Sequence, residues 1–410
     1  MKHQMNIVFG CSYNYAKYAV VMLQSLFESN TGGRCMKLFV MIEENLGEWE
    51  ERIEFLVKKY NHTVRFIRLP QNRREREIKE IWPSIINTDR WLAIELLPDD
   101  VDRFLMLGVD ILVKGDLWEW YSSDFENKYM IMCKDQFIVL NHDSNAEWAE
   151  NLRNYQIGRL DEKFGNCEIA LVSRDIRKVF SYDHMIDTII RKQYGTVDQD
   201  YFNVYMAEYI KLIEPDEYNY LAGLGNYEEV IEKIKILHYT LEKPWVHYDE
   251  TPWGKLWIEC VRRTPDCREI ILDYEKYLNG KLETLRRRES RYHKVLNHWM
   301  EMRYLGKACF DKYHYSAVAV YGAGELCIHL LRDLEKAGVL CSGIFDRNDR
   351  LDEIAGVKIS HDLESFLREI RGAEVIVVTA VFAYDEIEGL LKEKTDIKIM
   401  SLEEIVEGME

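Results

Sequence analysis

Asp102-Arg103-Phe104-Leu105-Met106-Leu107-Gly108-Val109-Asp110-Ile111-Leu112-Val113 reads as an apolar strand, a short polar interruption and a second apolar run. Open α/β sheets carry their ligand groups at such interruptions, at the carboxyl ends of strands. Working outward to the N-terminus, Asn6 to Phe9 is rich in strand formers and Ser12 to Tyr15 is polar and turn-prone. Ala16 to Phe27 then repeats apolar residues at helical spacing. Lys37 to Met41 reads as a second buried strand, Leu46 to Lys59 as a charged helix, and Thr63 to Arg68 as a third, alternating strand. Strands that alternate with helices in this way predict an α/β domain with a largely parallel sheet.

The chain has 410 residues, more than one ordinary domain needs, and enough apolar content for two or three cores. Its net charge of -17 excludes a nucleic-acid binder, which needs a cationic surface to displace counterions. Nine scattered cysteines, none in a C-x-x-C pair, point to a reduced, cytoplasmic protein. The start, Met1-Lys2-His3-Gln4-Met5-Asn6, lacks the apolar core and cleavage site of a signal peptide. No apolar run approaches the roughly 18 residues of a spanning helix, so contact with a membrane would be peripheral, at the inner face.

Beyond residue 265 the pattern changes. From Gly280 to Tyr313 it is helical, aromatic and basic, with Arg286-Arg287-Arg288, Arg291 and Lys294. Leu285, Tyr292, Leu296, Trp299 and Met302 are interleaved with these charges. Two readings stay open: a solvated linker helix, or a face that meets anionic lipid. A new strand–turn–helix then begins with Ser316 to Tyr321, Gly322-Ala323-Gly324-Glu325 and Leu326 to Ala337, with further strands at Ser342 to Phe345 and Glu374 to Thr379. Gly322 and Gly324 after a strand, with Asp346 ending the next one, have the layout of a dinucleotide fingerprint. Cys327 stands where its third glycine belongs, so a second nucleotide site at Gly322, Gly324 and Asp346 competes with an accessory or oligomerising role. The expected organisation is therefore a first α/β domain over 1–265, a basic helical linker over 266–314 and a smaller Rossmann-like domain over 315–410.

Four separated stretches, in order, resemble the retaining glycosyltransferases of family 8. They are Asn6-Ile7-Val8-Phe9 with Asn14-Tyr15-Ala16, then Asp102 to Val113 with Lys114-Gly115-Asp116-Leu117, then Asp198-Gln199-Asp200-Tyr201-Phe202-Asn203, and finally His238-Tyr239-Thr240 with Lys243-Pro244-Trp245. The resemblance implies a GT-A nucleotide-sugar-binding domain with a mixed, mostly parallel sheet. It implies a UDP-sugar donor held by Gly10, Ser12, Asn14, Tyr15, Arg90, Asn166 and Lys243. It assigns Asp110 and His238 to a Mn²⁺ or Mg²⁺ ion, and Asp198 and Gln199 to the reacting sugar. A diphosphate leaving group needs positive charge on its oxygens, which is why carboxylate, imidazole and lysine should converge there. The implied reaction moves glucose or galactose to a hydroxyl of a glycan or glycoprotein.

The sequence also departs from the family pattern. Gly108 replaces the first aspartate of D-x-D, and Ser12-Tyr13 replace an acidic pair. Trp91 follows Arg90 where the family carries its arginine, and Glu168 in Gly165-Asn166-Cys167-Glu168-Ile169 replaces a glycine. His238 lies five residues before Lys243 instead of six, with Leu241 or a deletion in place of a glycine. These departures keep an alternative in view: a degenerate glycosyltransferase that binds or scaffolds an active partner. Self-association into a homo-oligomer is the other partner expectation.

Overall fold

The computed structural model describes residues 4–70, 75–81, 85–141, 149–150, 164–192, 196–240, 243–247, 251–302, 313–349 and 351–407. Two compact units divide the chain, Met1–Glu275 and Lys276–Glu410.

In the first unit, β1 (Gln4–Gly10), β2 (Cys35–Ile42) and β3 (Thr63–Arg68) alternate with helices α1 (Ala16–Ser29) and α2 (Glu48–Lys59). These are the three strands and two helices that periodicity predicts, with α2 starting two residues late, at Glu48. β4 (Arg103–Met106) joins β1 in parallel, and Leu107 extends that pairing by donating to the Val8 carbonyl at 2.9 Å. β6 (Met130–Lys134), β7 (Gly165–Ser173) and β8 (Ile210–Ile213) complete a seven-stranded sheet in the order β3-β2-β1-β4-β7-β6-β8. Only the β4–β7 and β7–β6 pairings are antiparallel, so the sheet is mixed and mostly parallel. A core of Val8, Phe39, Trp91, Met106, Ala170 and Phe202 packs against it. Strands buried on both faces read as continuous apolar runs, which explains why β1 and β2 were legible.

A second, three-stranded sheet, β5 (Ile111–Val113)-β10 (Ile236–His238)-β9 (Tyr220–Leu221), builds the site. β10 runs antiparallel to β5 with His238 opposite Ile111, and Tyr239 donates to the Asp110 carbonyl at 2.9 Å. Residues more than a hundred positions apart are thereby locked side by side. Val113 is anchored to α1 by the Ser25 hydroxyl, which accepts its N–H at 3.0 Å.

The second unit is a six-stranded sheet in the order β13-β14-β12-β11-β15-β16. Its strands are β11 (Ala317–Tyr321), β12 (Leu340–Phe345), β13 (Glu353–Ile354), β14 (Val357–Ser360), β15 (Val375–Val378) and β16 (Lys398–Ser401), all parallel except the short β13. The basic helix runs from Arg268 to Met302, and residues 303–312 of the expected segment lie outside the described residues. Leu285 is exposed, but Trp299 is buried in the second unit's core with Tyr292 and Leu296 packed against it. Arg291 and Lys294 pair with Glu403 and Glu407 of the same unit. This corrects the apolar face offered to lipid: three of its residues serve the unit's own core, and two of its cations are neutralised there. Among the described residues no helix is long and apolar enough to cross a membrane, and eight cysteines are free, six of them buried.

Candidate active site

A cleft of about 670 Å³ opens at the carboxyl ends of β1 and β4. Gly10, Ser12, Tyr15, Arg90, Asp110, Asn166, Asp198, Gln199, His238 and Lys243 all line it. Asn14 is exposed and is not among the lining residues. Gly10 acts through space: a Cβ there would come within 2.9 Å of Arg90 Cβ and Ile86 Cγ1. A glycine at the end of β1 therefore lets the 86–92 segment close over the strand and aim Arg90 inward.

Asp110 is the electrostatic centre. Its Oδ2 pairs with the Lys243 ammonium, and its Oδ1 is buried without a hydrogen-bond partner, 3.6 Å from His238 Nε2. Burial alone would raise the Asp110 carboxyl, but Lys243 and His238 outweigh it and hold the group well below the ordinary carboxylate range. Lys243 is held above its ordinary value because, although burial lowers it, Asp110 more than compensates. His238 is buried, and its Nδ1 donates to Asn219 Oδ1 at 2.8 Å, since a carbonyl oxygen can only accept. In the neutral ring Nε2 then presents a lone pair, which takes the Thr240 hydroxyl proton at 2.6 Å.

Asp198 opens the helix Asp198–Tyr205 on the opposite wall. Its Oδ2 accepts from Trp91 Nε1 at 2.7 Å, Arg90 at 3.2 Å and the Cys167 thiol at 3.4 Å. Burial pushes the Asp198 carboxyl up against the pull of Arg90 and Trp91. Trp91 thus supplies a donor to the site, and Arg90 reaches the cleft from its own position. Gln199 is fixed at both ends, donating to Asp135 Oδ2 at 3.0 Å and accepting from the Cys167 N–H at 3.3 Å.

Asp135, Asn219 and Thr196 escaped the sequence reading, and Thr240 was given no role in it. Asp135 ends β6 and caps the next helix by accepting the Ile138 N–H at 2.9 Å, while its Oδ2 takes Asn166 Nδ2 at 3.0 Å. A carboxylate at the end of an apolar strand is the same signal that exposed Asp110, and it was present in Met130 to Asp135. Lys243 owes its place partly to the neighbouring Trp245, which stacks on Tyr18 at 3.8 Å and meets Tyr15 edge-on at 5.9 Å. That aromatic contact ties the Lys243 loop to the opening Ser12–Tyr15 segment. Leu241 lies outside the described residues.

Among the described residues no three His, Cys, Asp or Glu side chains are grouped so as to hold a metal ion. The orphaned Asp110 Oδ1 fits one position of a hard cation, whereas the His238 Nε2 lone pair is taken by the Thr240 hydroxyl and becomes a second position only when that hydroxyl turns away.

The turn after β11 has a different character. Asp346 Oδ2 accepts the Ala323 N–H at 2.6 Å and Oδ1 accepts the Asn348 N–H at 2.8 Å. Thr379 fills the space beside Gly322, 2.6 Å from where a Cβ would stand, and donates to the Gly322 carbonyl at 2.7 Å. Asp346 and Gly322 are thus engaged by Ala323, Asn348 and Thr379 within the turn.

The sequence profile of "Glycosyl transferase family 8" matches residues 6–164, the stretch that carries β1 and the Gly108–Asp110 turn. Residues 6–164 belong to glycosyltransferase family 8. The Lipopolysaccharide 1,2-glucosyltransferase of Escherichia coli is 24% identical over 278 residues, covering 60% of this chain and 74% of that protein. Among solved structures, the WbbM bifunctional glycosyltransferase in its apo form superposes with a TM-score of 0.54 at 17% identity, over 67% of this chain. This chain spans 52% of that one's length, and the likeness supports the fold. The galactosyltransferase LgtC, solved with donor and acceptor sugar analogs, matches at 19% identity and a TM-score of 0.49, over 64% of this chain and 96% of its own. The first unit thus shares its mixed α/β fold with a solved glycosyltransferase, and its residues 6–164 carry the family match.

Proposed function

We propose that the chain transfers glucose or galactose from a UDP-sugar to a hydroxyl of a glycan or glycoprotein, with retention, in the cytoplasm or at the inner face of the membrane. One observation carries this reading: polar side chains from six separated segments, 10–15, 90, 110, 166–168, 198–199 and 238–243, line one cleft at the carboxyl ends of β1 and β4.

Tyr15 and Ser12 receive the nucleoside, Tyr15 by stacking and Ser12 through a hydroxyl that both donates and accepts. Lys243 and Arg90 meet the diphosphate, because both cations face the cleft and neither can lose its charge near neutral pH. Asn166 and Asp198 accept hydroxyl protons of the donor hexose, and Gln199 sits beside the anomeric carbon. The bond from that carbon to the β-phosphate oxygen breaks, the electron pair leaves with UDP, and the acceptor oxygen forms the new bond on the same face. The acceptor proton passes to the departing phosphate oxygen, which balances the step. Asp110 and His238 are the residues that would hold a Mn²⁺ or Mg²⁺ ion, which would supply additional positive charge to the leaving diphosphate.

Release of UDP from a panel of UDP-hexoses with Mn²⁺ tests the reading, together with NMR of the product's anomeric configuration. An inverted product overturns the mechanism. Absence of UDP binding by calorimetry overturns the donor assignment and leaves the scaffolding alternative.

A further inference from the structure

Val197 stands in a backbone conformation that its residue type resists. Its φ of 53° and ψ of -107° fall in a region that glycine enters freely and that a β-branched side chain crowds. The residue is only 2% exposed and belongs to the first unit's core together with Tyr201 and Phe202, so it is not a relaxed surface turn. The next two residues are Asp198 and Gln199, and both line the cleft. Strain of this kind persists only where the surroundings enforce it, and it gathers at functional sites.

The enforcing group is Asp200. Its fully buried carboxylate reaches back past Val197, where Oδ2 accepts the Thr196 N–H at 2.9 Å and Oδ1 accepts the Thr196 hydroxyl at 2.5 Å. The backbone closes the same loop, with the Gln199 N–H donating to the Thr196 carbonyl at 3.1 Å and the Tyr201 N–H to the Val197 carbonyl at 3.3 Å. Val197 itself caps the helix without any side-chain hydrogen bond, so the carboxylate three positions on does the fastening.

We infer that Asp200 is a positioning residue: its clasp on Thr196 holds Val197 in the strained conformation and thereby aims Asp198 and Gln199 into the cleft. The inference rests on the transfer reading above for the roles of Asp198 and Gln199, and adds the element that sets their direction. Asp198 meets Trp91 Nε1 at 2.7 Å and Gln199 meets Asp135 at 3.0 Å, both partners lying on distant segments. A relaxed φ at 197 turns the first helical turn away from those partners. Tyr15, Ser12 and Lys243 come from other segments and do not depend on the clasp, so loss of the clasp separates turnover from nucleotide affinity.

The test compares the full chain with Asp200→Asn, Thr196→Val and the double variant Val197→Gly/Asp200→Asn. Asparagine keeps the shape of the side chain but sets an amide donor against one of the two Thr196 donors. Asp200→Asn is expected to lower kcat for UDP-hexose turnover by about 10², the scale of a misplaced reacting group, with UDP affinity by calorimetry unchanged. Thr196→Val removes one of the two bonds at constant volume, and a smaller loss of kcat is expected. The double variant is expected to regain most of the lost kcat, because glycine adopts the conformation at 197 without a clasp. Hydrogen exchange of the 199–203 amides reads the same effect without turnover: faster in Asp200→Asn, restored in the double variant. Wild-type kcat and exchange in both Asp200→Asn and Thr196→Val overturn the proposal. A folded double variant as slow as Asp200→Asn also overturns it, by giving Asp200 a task other than holding Val197. A wild-type chain that turns over no UDP-hexose overturns the transfer reading instead, and the exchange comparison still decides the clasp.

Discussion

The turns after β4 and β11 both follow a central strand and both contain a glycine, Gly108 in one and Gly322 in the other. They differ in what their polar atoms do. After β4, Asp110 keeps a buried oxygen without a partner and faces a cleft of about 670 Å³. After β11, both oxygens of Asp346 accept backbone N–H groups of nearby turns, and Thr379 occupies the space beside Gly322. A strand-end carboxylate is chemically available only when the surrounding turn leaves it unsatisfied. Buried polar groups are normally paired, so the unpaired one is where a ligand is expected.

The largest expected effect tests the first half of that comparison. Asp110→Asn removes the charge that faces both Lys243 and His238, and UDP release should fall by about 10² to 10³, the scale of losing one preorganised electrostatic contact. Near-wild-type turnover would show that Asp110 is a turn residue like Asp346.

Next in size is a pH effect within the helix Asp198–Tyr205. Burial raises Asp200 from its ordinary 3.8 to about 6, only partly opposed by the Thr196 hydrogen bonds. The folded state therefore holds this proton more tightly than the unfolded chain. That stability is fully present below about pH 4 and is lost as pH rises through about 6, up to about 3 kcal/mol in total. Urea unfolding of the wild type against Asp200→Asn at pH 4 and pH 7 should show their difference shifting by that amount, in favour of the variant at pH 7. A pH-independent difference would mean that Asp200 stays charged throughout.

Asp346→Ala probes the other half of the comparison. It strands the Ala323 and Asn348 N–H groups and should cost the second unit about 2 kcal/mol. UDP affinity at the first cleft should not change. Nucleotide binding that disappears in this variant would erase the distinction between the two turns.

The smallest effect concerns the Tyr18–Trp245 stack that steadies the Lys243 loop. A double-mutant cycle on these two residues should return a coupling of about 1 kcal/mol, measured by thermal unfolding. Zero coupling would leave Lys243 held by Asp110 alone.

Much of the first unit was readable because its strands are short apolar runs between helices with clear 3.6-residue periodicity. Asp110, Asp198 and His238 stood out for a related reason, as polar residues breaking or bounding apolar runs. The three-stranded sheet was not readable: β5, β9 and β10 have only two or three residues each, too few for periodicity to register. Asn219 and Asp135 were missed along with it, since their importance lies in accepting from His238 and Gln199, residues distant in the chain. The lipid-facing reading of the basic helix failed where Trp299 and Leu296 found an apolar partner surface within their own unit.

By itself, the sequence determined the α/β class, the order of the elements and the chemical types gathered at the strand ends, because these depend on local periodicity and residue identity. Tertiary structure decided which of those groups remain available. Only the pairing of β5 with β10 brings His238 to Asp110, and only the pairing of β4 with β7 puts the Glu168 carboxylate into the space that Gly108 leaves. Both juxtapositions are long-range hydrogen-bond registers, and no window of sequence contains the two strands that set either one.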